Sequence, residues 1–343
     1  MPKIAVVAFN LGGPDRPEAV EPFLFNLFND PAIIGLPWPV RPLLAKLISR
    51  RRGPVARDIY AKIGGGSPLL PLTREQTTAL EGALAGDGEV KVFIAMRYWH
   101  PMSDETARAV KDFAPDEIIL LPLYPQYSTT TTASSVKDWK RAAAAIGLDV
   151  PTRTVCCYPT EPGFIAAEAE LVAAAVDRAS RAGRPRVLFS AHGLPKRVID
   201  KGDPYAWQVE QSAVAVVAVM GRDDFEWQVS YQSRVGPLEW IGPATDSEIE
   251  RAGHERKALV VVPIAFVSEH SETLVELDIE YGELAHKSGV PAYERVPAVG
   301  THPRFIEGLA RLVRLARAGG CAVLSQDGGR ICPGERGQCG HAA

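Results

Sequence analysis

The sequence predicts an α/β fold built from two similar Rossmann-like domains, each a parallel sheet flanked by helices, facing each other across a cleft. Three observations predict it. Short apolar runs typical of buried strands alternate with segments of helical spacing, which is the pattern of parallel sheets covered by helices. The strand-like runs of the first half recur in the same order in the second half. The length of 343 residues and the hydrophobic content of 46% are sufficient for two packed cores.

Four strands are expected in the first half, because apolar runs there end in turn or loop residues. Residues 4–10 form the first run, which closes in Leu11-Gly12-Gly13-Pro14. The next elements are strands at residues 90–99, 117–124 and 153–158 and a helix rich in Ala and Glu at residues 161–181. Strands and helical segments therefore alternate, as a parallel sheet requires.

The second half repeats this order, which is the most informative feature of the chain's organisation. Three strand-like segments match in pairs: residues 6–14 with 187–195, 90–99 with 225–234, and 119–124 with 260–265. We therefore expect three units: an N-terminal domain at residues 1–160, a C-terminal domain at residues 161–318, and a Cys-containing tail at residues 319–343.

The halves differ most after their first strands, where the first half carries an insertion. It contains the apolar residues 33–40, which include Trp38, then residues 43–48, and then Arg50-Arg51-Arg52. Apolar residues beside a basic cluster suit a lip that contacts an apolar ligand or the inner membrane surface. A plain core helix with a basic end fits the same pattern, so both interpretations stay open.

Composition excludes several classes of protein. The net charge is -3 and no long region is dominated by basic residues, which argues against a nucleic-acid partner. No cleavable leader precedes the first strand, and no apolar run approaches the roughly 20 residues of a membrane span. We therefore expect a cytoplasmic protein, in which the five cysteines are thiols or metal ligands rather than disulfides.

The candidate catalytic residues follow strands of the second half. His192 follows residues 187–191, and Glu272 follows the apolar residues 259–267. Because α/β sheets place ligands at the carboxyl ends of their strands, we expect both side chains to meet in the cleft. An imidazole beside carboxylates can accept protons or bind a transition metal, and a His with Glu suits Fe(II), Zn or Mn.

An acidic row accompanies this pair. Five carboxylates recur at three- and four-residue steps: Glu269, Glu272, Glu276, Glu280 and Glu283. The spacing predicts that they share one face of a helix, where like charges repel by about 0.2–0.5 kcal/mol per pair. Such a row needs water or cations, so a solvated acidic face is the alternative to a functional one.

Several motifs resemble those of ferrochelatases, the enzymes that complete haem synthesis. They follow one another from about Ile4 to Leu315. The motifs are Asn10-Leu11-Gly12-Gly13-Pro14, Ile63-Gly64-Gly65-Gly66-Ser67-Pro68, Tyr124-Pro125-Gln126-Tyr127-Ser128, Ser190-Ala191-His192-Gly193-Leu194-Pro195, Gly202-Asp203-Pro204-Tyr205, Gln232-Ser233-Arg234-Val235-Gly236-Pro237, Trp240-Ile241-Gly242-Pro243-Ala244-Thr245-Asp246, and residues 263–281. The resemblance implies a chelatase-like fold and insertion of Fe(II), as a substrate, into protoporphyrin IX with release of two protons.

The resemblance also implies roles for the residues already singled out. His192 matches a histidine that is either a metal ligand or the base for the pyrrole protons, and Glu272 matches its carboxylate partner. Glu276 and Glu280 would continue an acidic relay that delivers metal or carries protons away.

The first half supplies the expected substrate-binding wall. Arg52, Tyr60, Ser67 and Arg97 match positions that line the porphyrin pocket or hold a propionate. Tyr127 joins them, since aromatic side chains with a cation suit a flat, hydrophobic ligand that carries carboxylates.

The tail adds a further expectation. Some ferrochelatases carry a 2Fe-2S cluster, and such clusters normally take four thiolates. The implied ligands are Cys321, Cys332 and Cys339 with Cys157 or Cys156. The chain departs from the animal pattern at Thr129, where a cysteine would stand, and its tail spacing is looser than Cys-x-x-Cys. Unligated thiols are therefore the alternative.

Two other functions stay open at this stage. A related chelatase would use coproporphyrin or another metal, and a non-catalytic tetrapyrrole-binding protein would need the pocket without His192. The chain is expected to act as a monomer or homodimer.

Overall fold

The computed structural model describes residues 2–234 and 238–341, and it has the predicted architecture of two parallel sheets flanked by helices. The strands are β1 Lys3–Asn10, β2 Glu89–Met96, β3 Glu117–Pro122, β4 Thr152–Cys157, β5 Arg186–His192, β6 Glu226–Gln232, β7 Leu259–Val262, β8 Tyr293–Arg295 and β9 Val323–Ser325. The helices are α1 Val20–Phe28, α2 Val40–Ala61, α3 Leu69–Ala83, α4 Ser103–Phe113, α5 Thr132–Ala145, α6 Pro162–Ala179, α7 Lys196–Asp200, α8 Tyr205–Met220, α9 Thr245–His254, α10 Tyr281–Ser288 and α11 Pro303–Ala318.

The first sheet has five parallel strands in the order β2-β1-β3-β4-β9. Its central strand β1 is buried on both faces, which explains its unbroken apolar run. β9 comes from the tail and pairs with β4, so part of residues 319–343 completes this sheet. The boundaries predicted at residues 160 and 318 stay a prediction.

The second sheet has four parallel strands in the order β6-β5-β7-β8. Its two central strands, β5 and β7, are almost wholly buried. The register of β5 with β6 pairs His192 with Gln232, so both residues stand at the carboxyl edge of the sheet. That edge is where parallel sheets bind their ligands.

The predicted helix after β7 is present, but its first part has a different pitch. Residues Glu272–Glu280 form a π-helix, and α10 continues from it. π-Helices are rare and are frequently found at functional sites. Nothing in the spacing of the sequence distinguishes this segment from an ordinary α-helix.

The two halves are joined by buried hydrogen bonds beside the π-helix. Nε2 of Gln76 on α3 donates to the backbone oxygens of Val267 and Gly300, at 2.8 and 2.9 Å. The Ser268 hydroxyl donates to Oε1 of the same Gln76 side chain, at 2.8 Å. Gln76 is almost wholly buried, so the loop between β7 and the π-helix is fixed against the first half.

The insertion of the first half forms the segment before α2 and most of α2 itself. It exposes large apolar side chains, among which Trp38 is 78% exposed and Leu43 70% exposed. The interpretation as a plain core helix is therefore wrong for this face of α2. Within the part of the chain that the structure describes, no helix combines the length and apolarity needed to cross a membrane.

Candidate active site

His192 stands at the tip of β5, and the local backbone holds it at the sheet edge. Gly193, which follows it, packs closely against β6, since a Cβ on Gly193 would lie 2.9 Å from the backbone oxygen of Gln232. Only glycine fits this close approach without displacement. Nδ1 of His192 lies 2.8 Å from Oε2 of Glu272. This contact leaves Nε2 as the ring nitrogen that can meet a substrate.

Glu272 is the first residue of the π-helix, and Glu276 and Glu280 follow it at four-residue steps. Thr273, Val275 and Leu277 are the buried residues of the π-helix. The three glutamates contact, in order, His192, Ser233 and Lys62. The acidic row therefore runs from the tip of β5 outward, and Glu280 at its outer end lies 3.5 Å from the Lys62 ammonium.

Ser233 connects the first two glutamates of the row. Its backbone N–H donates to Oε1 of Glu276 at 2.8 Å, and its hydroxyl donates to Oε2 of the same residue. The same hydroxyl lies 3.4 Å from Oε2 of Glu272. Tyr281 adds a third donor to Glu276, at 3.1 Å.

The electrostatics of the site keep Glu272 charged, make His192 more basic, and allow Glu276 to take up a proton readily. Burial alone would raise the pKa of Glu272, but the charge and hydrogen bond of His192 outweigh it and lower the pKa to about 2. Burial alone would lower the pKa of His192, but Glu272 outweighs it and the pKa is raised. Burial and the charge of Glu272 raise the pKa of Glu276.

Two of the five predicted carboxylates do not belong to this row. Glu269 lies in the loop before the π-helix, where Arg295 approaches its Oε1 to 2.5 Å and the Ala298 N–H donates to it at 3.0 Å. Glu283 lies on α10 and pairs with exposed Lys287. The prediction of one continuous helical face was wrong at both ends, because the helix begins after Glu269 and changes pitch before Glu283.

Three of the predicted substrate-binding residues lie on or just after α2. Tyr60 is buried, and Ser271, immediately before Glu272, donates to its hydroxyl at 3.5 Å. Burial raises the pKa of Tyr60 to about 12. A Cβ on Gly13 would lie 2.5 Å from Oγ of Ser67 and 3.9 Å from the Tyr60 hydroxyl, so these groups are close neighbours. Arg52 is exposed on α2.

Arg97 lies at the end of β2 in a different environment from His192. Its guanidinium donates to Oδ2 of Asp30 at 2.8 Å and to Oγ of Ser134 at 2.7 Å. Asp30 is almost wholly buried and also accepts from the Tyr98 hydroxyl at 2.8 Å. The cavity of about 240 Å³ that Arg97 lines contains neither His192 nor Glu272. The structure therefore gives Arg97 a protein carboxylate as its partner.

Tyr127 is also placed away from the pair of His192 and Glu272. Its ring packs against Cys156 and Cys157 and against the backbone of Gly340, and its N–H donates to Gln208 at 2.7 Å. Its neighbours are thus the buried thiols and the tail. A direct substrate contact for Tyr127 stays a prediction.

The thiols near Tyr127 form a cluster of four, named here the thiol cluster: Cys156, Cys157, Cys332 and Cys339. The sulfurs of Cys156 and Cys157 are 3.4 Å apart, and Cys332 contacts both Cys157 and Cys339. Hydrogen bonds from these two neighbours lower the pKa of Cys332 to about 3. Cys321 is exposed, and within residues 2–234 and 238–341 its sulfur contacts no other cysteine sulfur. Cys321 lies outside the thiol cluster, since it precedes β9 whereas Cys332 and Cys339 follow it.

Sequence reasoning missed three residues of the site. Ser233 lies in a quoted motif, but its bonds to the acidic row depend on backbone geometry that spacing does not reveal. Lys62 and Asp30 contact partners more than sixty residues away. The last three residues of the motif that contains Ser233, at positions 235–237, lie outside the described residues. No three His, Cys, Asp or Glu side chains in the described ranges are arranged to hold a metal ion by themselves.

Comparison with known proteins gives one consistent family. A family model described as ferrochelatase matches residues 3–317. The chain is 58% identical over 342 residues to the ferrochelatase of Phenylobacterium zucineum, covering 98% of this chain and 97% of that one. It is 56% identical over 340 residues to the ferrochelatase of Caulobacter vibrioides, again covering 98% and 97%.

A solved structure supports the fold independently. SirB from Bacillus subtilis, determined with Fe3+, matches with a TM-score of 0.51 at 13% identity, covering 93% of this chain and 96% of that chain. At this identity the match shows a shared fold of two α/β units.

Proposed function

The chain belongs to the ferrochelatase family, and from that premise we propose that it inserts Fe(II) into protoporphyrin IX to form protohaem. It is therefore a metal-inserting lyase of haem biosynthesis. The choice of protoporphyrin IX and the roles of individual residues are our proposal. One observation carries it: the 2.8 Å contact between His192 and Glu272 at the carboxyl edge of the second sheet.

The reaction needs a base, because the porphyrin gives up two pyrrole protons as the metal takes their place. Glu272 fixes the imidazole of His192 through Nδ1, so Nε2 faces the substrate. An imidazole held in this way accepts a pyrrole proton, and the carboxylate stabilises the imidazolium that forms. His192 and Glu272 alone are an incomplete donor set for a metal. This suits an ion whose final ligands are the porphyrin nitrogens.

The acidic row gives the protons a route away from the porphyrin. Glu272 and Glu276 share the Ser233 hydroxyl as a neighbour, so hydrogen-bonding groups follow one another from His192 outward. Glu280 ends the row beside the Lys62 ammonium. We propose that the row carries these protons outward, since its outer end at Glu280 is exposed to solvent.

The porphyrin wall is proposed to come from the first half. Tyr60 and Ser67 lie beside the start of the π-helix, which supports a contact with the ring. Exposed Arg52 is suited to a propionate. Arg97 is proposed to act on the porphyrin indirectly, because Asp30 already occupies its guanidinium.

The exposed face of α2 is proposed to rest on the inner membrane surface from the cytoplasmic side. Trp38, just before α2, and Leu43 and Leu47 on α2 are more than half exposed, and Arg50 to Arg52 follow on the same helix. Apolar side chains beside basic ones bind the boundary of an anionic bilayer. The five free cysteines suit the reducing cytoplasm. Protoporphyrin IX is itself apolar, so a chain at the membrane meets its substrate there, as a monomer or homodimer.

The thiol cluster is proposed to hold a 2Fe-2S cluster. Four thiolates are the usual ligand number, and Cys156, Cys157, Cys332 and Cys339 supply four sulfurs, each in contact with at least one other. The pKa of Cys332 is lowered by hydrogen bonds from Cys157 and Cys339, whereas hydrogen bonds within the thiol cluster, together with burial, raise the pKa of those two thiols. Cluster binding would therefore have to deprotonate Cys157 and Cys339. The present arrangement is not itself a metal-binding geometry, so the thiols would separate on loading. When bound, the group would supply a redox-active centre that links the tail to β4.

Absorption and metal content test the ligand set without an activity assay. The purified chain is expected to be coloured and to contain iron and sulfide. Cys332→Ser is expected to lose both, whereas Cys321→Ser keeps both. Loss of the colour in Cys321→Ser, or a colourless wild-type chain prepared without oxygen, would contradict the assignment.

Anaerobic incubation with Fe(II) and either protoporphyrin IX or coproporphyrin tests the substrate. The metalloporphyrin spectrum is expected to appear with the higher kcat/KM for protoporphyrin IX. A preference for coproporphyrin or for a metal such as cobalt would replace the proposed substrates. Porphyrin binding without turnover would make the chain a tetrapyrrole-binding protein.

A further inference from the structure

Ser233 has a backbone conformation that the local fold does not require. Its φ is +59°, in the left-handed region that side chains other than Gly rarely adopt. Among the described residues, the other such non-Gly positions are Ala114 and Arg256. Ala114 ends α4, and Arg256 lies two residues after α9. Left-handed residues are common where helices end.

Ser233 follows a strand instead, directly after β6 ends at Gln232. Left-handed backbone at such a position is strained unless the surroundings compensate, and it occurs often at functional sites. We therefore expect a neighbouring group to form contacts that depend on this conformation and stabilise it.

That partner is the acidic row. The conformation points the Ser233 N–H and its hydroxyl in one direction, so each oxygen of Glu276 receives one of them. The hydroxyl also lies 3.4 Å from Oε2 of Glu272. One serine thus stands between two carboxylates that otherwise repel each other. Hydrogen bonds to charged acceptors are about twice as strong as neutral ones.

We infer that Ser233 is a positioning residue for metal insertion, which holds Glu276 against Glu272 so that both carboxylates stay aligned behind His192. The inference rests on the proposed roles of these three residues. Ser233 acts through the carboxylates and not on the porphyrin. Its strained backbone is maintained because it aims both donors at Glu276.

Glycine at this position separates positioning from a purely structural role. Ser233→Gly relieves the strain at φ +59°, keeps the N–H donor and removes only the hydroxyl. Its Tm is expected to equal or exceed that of the wild type, while kcat for Fe(II) insertion falls by about ten-fold or more. A purely structural serine would give a stable variant with unchanged kcat. Ser233→Ala, which keeps the strain, is expected to lose kcat with a lower Tm.

Ala114→Gly is the matched control, because it relieves the same kind of strain at an exposed helix end. It is expected to gain stability with unchanged kcat. The porphyrin Kd, measured by fluorescence quenching, is expected to be the same in Ser233→Gly and the wild type.

Three results would overturn the inference. Ser233→Gly turning over within about two-fold of the wild type would remove the positioning role. A porphyrin Kd weakened as much as kcat falls would make Ser233 a substrate contact. A wild-type chain that inserts no metal would refute the proposed function and this inference with it. If the wild type and Ser233→Gly are equally active, only this inference is refuted.

Discussion

Glu168 on α6 is a buried carboxyl group that the fold accommodates without a partner. The residue is 0% exposed, and neither carboxylate oxygen has a hydrogen bond in the described part of the chain. Phe164, Ile165 and Val172 flank it at helical spacing, and all three are buried. Removal from water penalises the charged form, so burial raises the pKa of Glu168 from 4.5 to about 8.

The sign of the resulting pH dependence follows from proton counting. Between pH 4.5 and about 8 the folded chain keeps a proton that the unfolded chain has lost. Stability therefore falls as the pH rises through this window and stays at the lower level above it. At about 1.4 kcal/mol per pKa unit, the total loss is about 5 kcal/mol. This is a large fraction of the stability of an ordinary domain, which is about 5–15 kcal/mol.

Glu168→Gln removes the titration with little change in shape. The free energy of unfolding is measured by urea denaturation at about pH 5.5 and about pH 9 for both proteins. The variant is expected to be more stable than the wild type by several kcal/mol at the higher pH and by only about 1.4 kcal/mol at pH 5.5, which lies one pKa unit above the start of the window.

Glu250→Gln on α9 is the control, because Glu250 is exposed. It is expected to show the same difference from the wild type at both pH values. If Glu168→Gln also differs from the wild type by the same amount at both, Glu168 is not held neutral by burial and the reasoning is wrong.

Three further predictions concern the site and its surroundings. Glu272→Gln is expected to lower the pKa of His192, followed by NMR titration of the ring, since burial then acts without the carboxylate charge; an unchanged pKa would refute the coupling. Asp30→Ala is expected to reduce the free energy of unfolding by about 1–3 kcal/mol, because it removes the acceptor of the Arg97 and Tyr98 hydrogen bonds and leaves the partly buried guanidinium only Asp138 as a carboxylate, 3.9 Å away; urea denaturation checks this, and an unchanged free energy of unfolding would contradict it. Trp38→Ala is expected to weaken binding to anionic vesicles by about ten-fold in a sedimentation assay, whereas equal binding would exclude the proposed membrane contact.

The fold followed from the sequence because each half repeats the same signals. β1, β5 and β7 were visible as apolar runs, since central parallel strands are buried on both faces. β8 and β9 were not predicted. Each has three residues, which is too short for an apolar run to be recognised in the sequence. β8 is defined by its pairing with β7, and β9 by its pairing with β4.

The candidate site was predicted in part. Motifs placed His192 and Glu272 on strand tips of one sheet, and the two side chains do meet. Glu269 was assigned to the same row because spacing alone cannot show that Arg295 holds it in the preceding loop. The strained backbone of Ser233 arises only in the folded chain, where the π-helix supplies its acceptors.

The thiols show the same limit. The resemblance implies three ligands from the tail, but the parallel pairing of β9 with β4 separates Cys321 from the others. The consecutive Cys156 and Cys157 were treated as alternatives, whereas both sulfurs lie within the cluster. The separation of the cysteines in sequence therefore does not predict which of them lie together in the fold.

The central claim is that the imidazole of His192, fixed by Glu272, performs metal insertion. The most direct measurement is the initial rate of Fe(II) insertion into protoporphyrin IX, without oxygen, by the wild type and by His192→Ala. A positioned general base contributes about 10²–10⁴-fold, so the variant is expected to lose at least about 100-fold in kcat while it still binds porphyrin. A folded His192→Ala that turns over at the wild-type rate would contradict the account.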